Sequence, residues 1–381
     1  LSRECRVAGF FDNEAQRKSF ELVEKQVEEL NCSLEVFYPS DPKPELRRFG
    51  EWRYRSLVIG TSRMGSLGQE LNEVRDFLDE GGNAILFGGR KGNEVQNAIL
   101  THIGIAPIGG GDVVNSRGEK RIRMKGIVGP ESIVGTGRKE IVYEGGFTTI
   151  DRPNQFRIPL VVGGYEHTSQ NDERYVGEKR YGKSIVVIGG FQSRVGGRIV
   201  LICSNKFMHK DLVDESEGEN GILMKELMKW GFHLKSSLNL VESSHVSTES
   251  GVTPVQYHEK ENITVRARIE EGGVGYEGDD VQVEVFMLGV FVRRHMKKMG
   301  GGLYEETLML PDRAGNFKVT VFTNKDGWKN VREEMAIAIR PLSIRERPRY
   351  LRESKPYQQG LLVMLIGTFI LMVHFLFHKS K

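Results

Sequence analysis

The chain has little of what usually carries chemistry. It holds only three cysteines, Cys5, Cys32 and Cys203, in 381 residues, which excludes a scaffold built on disulfides. One pair can form, and Cys5 with Cys32, on neighbouring strands, is the favoured one, leaving one thiol over. There is no excess of either charge. The 54 basic and 51 acidic side chains leave a net +3, which excludes binding nucleic acid through bulk charge. No GxxxxGK[ST] loop occurs, and Gly109-Gly110-Gly111 does not complete GxGxxG, so nothing points to a bound nucleotide. The nine histidines are scattered without ligand spacing. His258-Glu259 opens like a zinc-binding HExxH helix, but Asn262 stands where the second His is needed. The sequence assigns no cofactor and no metal.

Long apolar runs are scarce too, with one exception. Gly360–Phe377, GLLVMLIGTFILMVHFLF, is 18 residues without Asp, Glu, Lys or Arg. As a helix it measures about 27 Å, close to the ~27 Å hydrocarbon layer of an endoplasmic-reticulum membrane. Only His378-Lys379-Ser380-Lys381 follows. A single transmembrane helix is therefore expected, with nearly the whole chain on one side. Charge at the span gives a mixed message about orientation. Arg345, Arg347, Arg349, Arg352 and Lys355 outnumber Lys379 and Lys381, which favours a cytosolic body. The chain begins Leu1-Ser2-Arg3 without Met, as a chain does after a signal peptide is removed, and a cleaved signal carries a large domain across largely regardless of its charge. The expectation is a type I protein of the endoplasmic-reticulum membrane, with a lumenal body and a cytosolic tail. Gly360, Gly367 and His374, spaced by seven, form a candidate helix-packing stripe. Asn31-Cys32-Ser33 and Asn262-Ile263-Thr264 are sequons, so Asn31 and Asn262 are candidate N-glycosylation sites in a lumenal body.

The first hundred residues alternate strand and helix patterns. Strands are expected at Arg6–Phe11, Ser33–Tyr38, Ser56–Gly60 and Ala84–Phe87. Helices are expected at Glu14–Leu30, Leu67–Glu80 and Asn93–Ile103, with Phe20, Val23, Val27 and Leu30 on one face of the first. This order predicts a doubly wound, largely parallel sheet of flavodoxin or amidotransferase type. Residues 107–182 show strand-like fragments at Ser132–Val134, Glu140–Tyr143 and Leu160–Val162, and a charged loop or hairpin at Arg117–Lys125. Ser184–Ile188 and Arg198–Cys203 read as buried strands and Ile222–Phe232 as a helix, all rejoining the first sheet. From Val255 the period becomes two. Thr264–Ile269, Val281–Leu288, Leu303–Leu310, Phe317–Thr323 and Glu334–Arg340 alternate, with Phe317, Val319 and Val321 facing away from Lys318 and Thr320. These predict an immunoglobulin-like antiparallel sandwich.

The expected units are 1–106 (doubly wound α/β), 107–182 (divergent and β-rich), 183–250 (return strands and helix), 251–342 (sandwich), 343–359 (basic linker), 360–377 (span) and 378–381 (tail). A nucleophile elbow belongs after Ala84–Phe87. The residues there are Gly88-Gly89-Arg90-Lys91, which offer no nucleophile. Cys203-Ser204-Asn205 is not a glycine-flanked elbow and reads as a buried structural thiol. Asp279-Asp280 reads as turn acids ahead of a strand. Arg293-Arg294-His295-Met296-Lys297-Lys298 reads as a solvated edge strand, with a phospholipid or pyrophosphate contact as the alternative. No catalytic residue is assigned.

Several stretches together resemble one family. They are Gly278-Asp279-Asp280-Val281-Gln282-Val283-Glu284, Phe291-Val292-Arg293, Lys297-Lys298-Met299-Gly300-Gly301, Leu310-Pro311-Asp312, Gly327, Arg340-Pro341-Leu342 and Pro356-Tyr357. Phe49-Gly50-Glu51, Leu57-Val58-Ile59, Phe77-Leu78-Asp79-Glu80-Gly81-Gly82, Phe191-Gln192-Ser193-Arg194 and Arg198-Ile199-Val200 add to them, with Trp230 and His245. In this order they resemble the 48 kDa subunit family of eukaryotic oligosaccharyltransferase, the membrane complex that places a preassembled glycan on Asn of Asn-x-Ser/Thr. Residues 107–182 depart from the family pattern. The resemblance implies an amidotransferase-like α/β domain, a β-rich C-terminal domain and one type I span. It implies a non-catalytic assembly subunit, with catalysis in a separate multi-span subunit. Its implied partners are that subunit, ribophorin-type subunits and small membrane subunits. Two other readings compete. A membrane-tethered amidotransferase-like hydrolase needs an elbow nucleophile, and a single-pass adhesion receptor needs more disulfides and a longer tail.

Overall fold

The computed structural model describes residues 5–378, apart from 15–16, 18–19, 39, 42–44, 61–70, 90–93, 109–110, 138–139, 151–152, 155, 171–178, 194 and 347–351. Several expected features therefore lie outside the described residues: the starts of the helices Leu67–Glu80 and Asn93–Ile103, Arg90, Lys91, Gly109, Gly110, Arg194, Arg347, Arg349, Lys379 and Lys381.

The N-terminal half is built on a seven-stranded sheet. Its elements are β1 (Cys5–Phe10), α1 (Glu21–Glu29), β2 (Cys32–Phe37), β3 (Ser56–Ile59), α2 (Leu71–Asp79), β4 (Asn83–Phe87), α3 (Glu94–His102), β5 (Arg157–Val162), β6 (Val186–Gln192), β7 (Arg198–Ile202) and α4 (Glu219–Gly231). The strand order is β5-β6-β7-β4-β3-β1-β2. β2, β1, β3, β4 and β7 run parallel, and β6 and β5 are added antiparallel at one edge. Every residue of β3, β4 and β7 is buried, because helices cover both faces of the sheet, and this is why these strands read as unbroken apolar runs. Val23 and Val27 of α1 and Leu223, Met224 and Leu227 of α4 pack on the face that carries Val7, Val58 and Ile85. Val74, Phe77 and Leu78 of α2 and Val95, Ile99 and Leu100 of α3 pack on the face that carries Ala8, Leu57 and Leu86. α1 stops at Asn31, which takes the left-handed φ of +56° that asparagine tolerates. Cys5 lies directly opposite Cys32 on β1 and β2, and the two form the expected disulfide.

Two details of residues 107–182 differ from expectation. Ser132–Val134 is not a strand but part of a single helical turn, Glu131–Val134. Pro130 opens that turn and Gly135, at φ +80°, closes it. The charged run Arg117–Lys125 contains a short strand, Ile122–Met124, paired with Ile141–Tyr143. Ile122 and Met124 turn inward there while Arg123 stays exposed.

The C-terminal half is two antiparallel sheets enclosing one apolar core. β8 (Leu238–Ser247), β9 (Asn262–Glu271), β12 (Lys297–Gly300) and β13 (Leu303–Met309) form one, in the order β8-β9-β13-β12. β10 (Gln282–Met287), β11 (Gly289–His295), β14 (Gly315–Phe322) and β15 (Arg332–Arg340) form the other, in the order β15-β14-β10-β11, with Tyr257–His258 added beside β15. Leu238–Ser247 thus pairs with β9 along its length, rather than joining the return strands of the α/β part as its position before residue 250 led us to expect. Phe317, Val319 and Val321 are buried in the sandwich core as expected. Thr320, on the opposite face, is buried as well. It lies opposite Glu284 in the ladder, and Glu284 is itself covered by the Arg293 guanidinium. The last element, α5 (Lys355–Phe377), is 23 residues long with no buried residue.

Candidate functional site

In an open α/β sheet, ligands bind at the carboxyl ends of the parallel strands, at the point where the strand order reverses. Here that point lies between β1 and β3. It is closed by aromatic rings. Phe11 follows β1, Phe87 ends β4, and Phe20 stands just before α1. The Phe11 and Phe20 rings are 5.3 Å apart and the Phe20 and Phe87 rings 4.7 Å apart, the second pair edge to face. All three are buried. Gly60, just past β3, lies under the Phe11 ring, so a Cβ there would stand 3.1 Å from it.

The expected elbow position is filled in the same way. The Gln96 side-chain amide donates to the Phe87 carbonyl. A Cβ on Gly88 would meet the Ile108 side chain at 2.2 Å, so that glycine is required by packing rather than by an approaching ligand. Cys203 is buried, and burial pushes its thiol far above the ordinary range, the opposite of an activated nucleophile. The Ser204 hydroxyl donates to the Glu144 carbonyl at 2.6 Å. The Tyr143 hydroxyl lies 2.6 Å from the Gly146 carbonyl and 2.8 Å from the Cys203 carbonyl, and burial raises its pKa too. The Ser204 and Tyr143 hydroxyls are thus both committed to backbone carbonyls. Among the described residues, no three His, Cys, Asp or Glu side chains are placed to hold a metal ion. A cleft of about 730 Å³, lined by Arg6, Trp52, Arg53, Tyr54, Arg55 and Glu80, lies at the opposite, amino ends of the strands.

The chemistry-bearing residues concentrate where the α/β part meets the sandwich. Arg198, the first residue of β7, is fully buried. Its guanidinium donates to the carbonyls of Trp230 at 2.8 Å, Lys235 at 3.0 Å and Ser236 at 2.5 Å, and it stacks 5.0 Å over the Trp230 ring. It thereby closes the C-terminal end of α4, where cations are favoured. Burial lowers its pKa to about 9. Trp230 Nε1 donates to the Gly327 carbonyl at 2.6 Å, and the Lys329 N–H donates to the Ser236 carbonyl at 2.9 Å. Gly327 has φ +76°, and a Cβ there would lie 2.8 Å from Ile133. A loop of the sandwich is thus pinned to α4 and to the segment that follows it, which Arg198 of β7 also holds. The sequence had singled out Arg198, Trp230 and Gly327 only as family positions. That they meet in space was not legible.

The remaining candidates scatter. Arg293 pairs with buried Glu284 at 2.7 Å, and Lys298 with Asp279 at 2.7 Å. Arg294 and Lys297 approach Glu306 at 3.6 and 3.8 Å. The basic cluster on β11 and β12 is thus matched with acids from its own sheets. Asp279 and Asp280 do not act as a pair, since Asp280 accepts from the Tyr276 hydroxyl. His258 lies 3.4 Å from Glu261 and 3.7 Å from Glu346. Asn31 and Asn262 are both exposed. Their sequons are otherwise engaged in the fold, because Cys32 is in the disulfide and the buried Thr264 hydroxyl is 3.0 Å from that of Thr248. Gly360, Gly367 and His374 lie on the continuous helix α5, and no atom lies within 4 Å of a Cβ at either glycine. At 1.5 Å per residue α5 extends about 34 Å, enough to cross a bilayer.

Comparison with known proteins gives a consistent match. Residues 5–234 match the model of the OST48 N-terminal domain, and residues 244–379 that of the OST48 middle domain. The dolichyl-diphosphooligosaccharide–protein glycosyltransferase 48 kDa subunit of Danio rerio is 23% identical over 407 aligned positions, covering 97% of this chain and 91% of that protein. The subunit of the same name from Drosophila melanogaster is 22% identical, covering 100% and 93%. That from Arabidopsis thaliana is 22% identical, covering 98% and 93%.

Proposed function

The chain belongs to the OST48 family, its N-terminal-domain model alone matching 5–234 of 381 residues, and we propose that it works as a non-catalytic, single-span subunit of oligosaccharyltransferase. In this reading it is a structural part of the complex that N-glycosylates proteins at Asn-x-Ser/Thr in the endoplasmic reticulum. The observation that carries the non-catalytic part is the closed carboxyl end of the parallel sheet. Phe11, Phe20 and Phe87 occupy the place where an α/β enzyme holds its substrate, and the adjacent thiol and hydroxyls are buried or bonded to carbonyls. Among the described residues, which exclude 61–70 after β3, a tethered hydrolase has no free nucleophile to use there.

The units in this proposal are an α/β domain of flavodoxin or amidotransferase type with a β-rich middle, an immunoglobulin-like sandwich, a basic linker, the span and a short tail. The body is lumenal, and Asn31 and Asn262 are then available for glycosylation before Cys5–Cys32 and the Thr248–Thr264 contact form. The partners are the catalytic multi-span subunit, ribophorin-type subunits and small membrane subunits. The Gly360, Gly367 and His374 stripe packs against one of their helices, since small residues let helices approach and a polar ring favours protein over hydrocarbon. The test is extraction of the full chain in mild detergent and identification of the proteins retained with it. Recovery of the catalytic multi-span subunit in fixed proportion is expected. Recovery of the chain alone, from membranes where the complex is intact, contradicts the proposal.

A further inference from the structure

The sandwich has a membrane-facing end, and its polarity can be read from strand register. β15 runs toward Arg340, from which the chain continues to α5. β14 is antiparallel to it, with Gly315 opposite Ile339. β10 is antiparallel to β14, with Gln282 opposite Phe322 and Phe286 opposite Lys318. The hairpin between β10 and β11 therefore turns at the same end of the sheet from which the chain leaves for the span. The Met287 sulfur confirms the level, lying 3.2 Å from where a Gly315 side chain would begin. The exit is held close to the sandwich. Arg340 grips both carboxylate oxygens of Glu346 at 2.9 Å. Only six residue steps then separate Glu346 from Arg352 at the head of the helix, a reach of at most about 22 Å for extended chain.

That hairpin is built against the interests of a free surface. Its tip residue, Leu288, is 98% exposed and holds φ +56°, a left-handed conformation that is unfavourable for leucine and suits Gly or Asn. Val290, Phe291 and Phe286 beside it are 47, 41 and 37% exposed. The Phe291 ring meets Phe317 edge to face at 5.3 Å, and the rest of the surface of these four side chains is open among the described residues. Met309 and Ile344, also exposed, lie on segments that reach the same end, and Arg313 in the neighbouring turn is exposed.

Taking α5 as a membrane span, we propose that the hairpin Phe286–Phe291 dips into the interface of the leaflet from which α5 emerges, so that the sandwich rests on the lipid surface and the body is held at a fixed tilt. Apolar side chains buried among headgroups and upper acyl chains gain what they lack in water, and an adjacent arginine suits the headgroup layer. The occupant is the zwitterionic lipid surface itself, because the basic residues of β11 are already matched by acids and leave no strong demand for anionic lipid.

The test uses the full chain in phosphatidylcholine vesicles with one added cysteine carrying a polarity-sensitive fluorophore. Cys5 and Cys32 are bonded and Cys203 is buried, so only the new thiol is labelled. Leu288→Cys probes the tip and Val290→Cys repeats the probe should the tip substitution misfold. Val274→Cys marks the far end of the sandwich, where β9 finishes, and Phe369→Cys marks the span. Lipids carrying a nitroxide near the headgroup are expected to remove most of the emission at 288 and 290 and leave 274 unchanged, while nitroxide along the acyl chain quenches 369. Quenching at 369 with 288 and 290 behaving like 274 overturns the hairpin insertion alone. An unquenched 369 overturns the span and the insertion with it. In the detergent-free complex, a label at 288 shielded from both lipid nitroxide and aqueous iodide identifies a protein neighbour and overturns the lipid assignment.

Discussion

At the carboxyl end of the parallel sheet, Phe11, Phe20 and Phe87 are buried against one another. Beyond Arg340, the helix Lys355–Phe377 buries nothing, and at the same end of the sandwich Leu288 stands almost fully in the open. The first region has the architecture in which α/β proteins usually hold a substrate, and it closes that place with its own side chains. The second leaves a large apolar surface exposed, the kind that a membrane or another protein covers. The proposed attachment role rests on this contrast. It also explains the joint between the halves, where Arg198, Trp230 and the Gly327 carbonyl meet. In the proposed role, a body that positions other subunits over a membrane gains from a rigid connection to its anchor.

The largest expected effect comes from breaking that connection. Trp230→Ala removes a buried ring and the donor to Gly327, and a loss of about 3–5 kcal/mol is expected. Denaturant midpoints of the detergent-solubilised chain measure it. A loss below ~1 kcal/mol means that the halves are held together elsewhere. Next is the staple at the sheet edge. Replacing Cys5 and Cys32 together by Ser frees a loop with a sequence separation of 27, and a loss of about 3–4 kcal/mol follows from chain entropy. Thermal or urea unfolding with and without the substitutions gives the value.

A smaller effect is set by acid. His233, beside the joint, has its pKa lowered from 6.5 to about 3, first by burial and then by Arg198, Arg55 and Lys329. Below pH 6.5 the unfolded chain takes up a proton that the native chain refuses, so stability falls as pH falls. The loss is about 1.4 kcal/mol per pH unit, or about 2 kcal/mol between pH 6.5 and 5. His233→Asn keeps a residue that tolerates the φ of +60° and should flatten that slope. An unchanged slope assigns the titration to other groups. The smallest effect on folding belongs to the anchor. Gly367→Leu should leave the body folded and inserted yet weaken recovery of the multi-span subunits, while Phe369→Leu should recover them normally. Equal recovery removes the stripe and assigns attachment to the domains before α5.

The buried strands, the first helices, the Cys5–Cys32 pair and the apolar C-terminal helix were legible because each has a local signature. Val58 and Ile85 sit in short apolar runs, and Phe317, Val319 and Val321 alternate. Leu238–Ser247 was missed because LNLVESSHVS is mostly polar, its partner covering one side only. β11 and β12 were read as one solvated edge strand at Arg293–Lys298, and their separate bounds were not legible because strands exposed on both faces show no alternation. Ser132–Val134 reads as strand by its β-branched residues, but Pro130 and Gly135 confine it to one helical turn. The aromatic closure of the sheet was not legible at all. Phe11, Phe20 and Phe87 are far apart in sequence, and only the sheet order brings their rings together.

The most direct measurement is glycan transfer by the purified full chain, given a lipid-linked oligosaccharide and an Asn-x-Thr acceptor peptide, beside the intact complex isolated through the same chain. Transfer by the complex and none by the chain alone is expected, with Cys203→Ala and Ser204→Ala leaving the complex active. Transfer by the chain alone, abolished by changing one polar residue in it, contradicts a non-catalytic subunit.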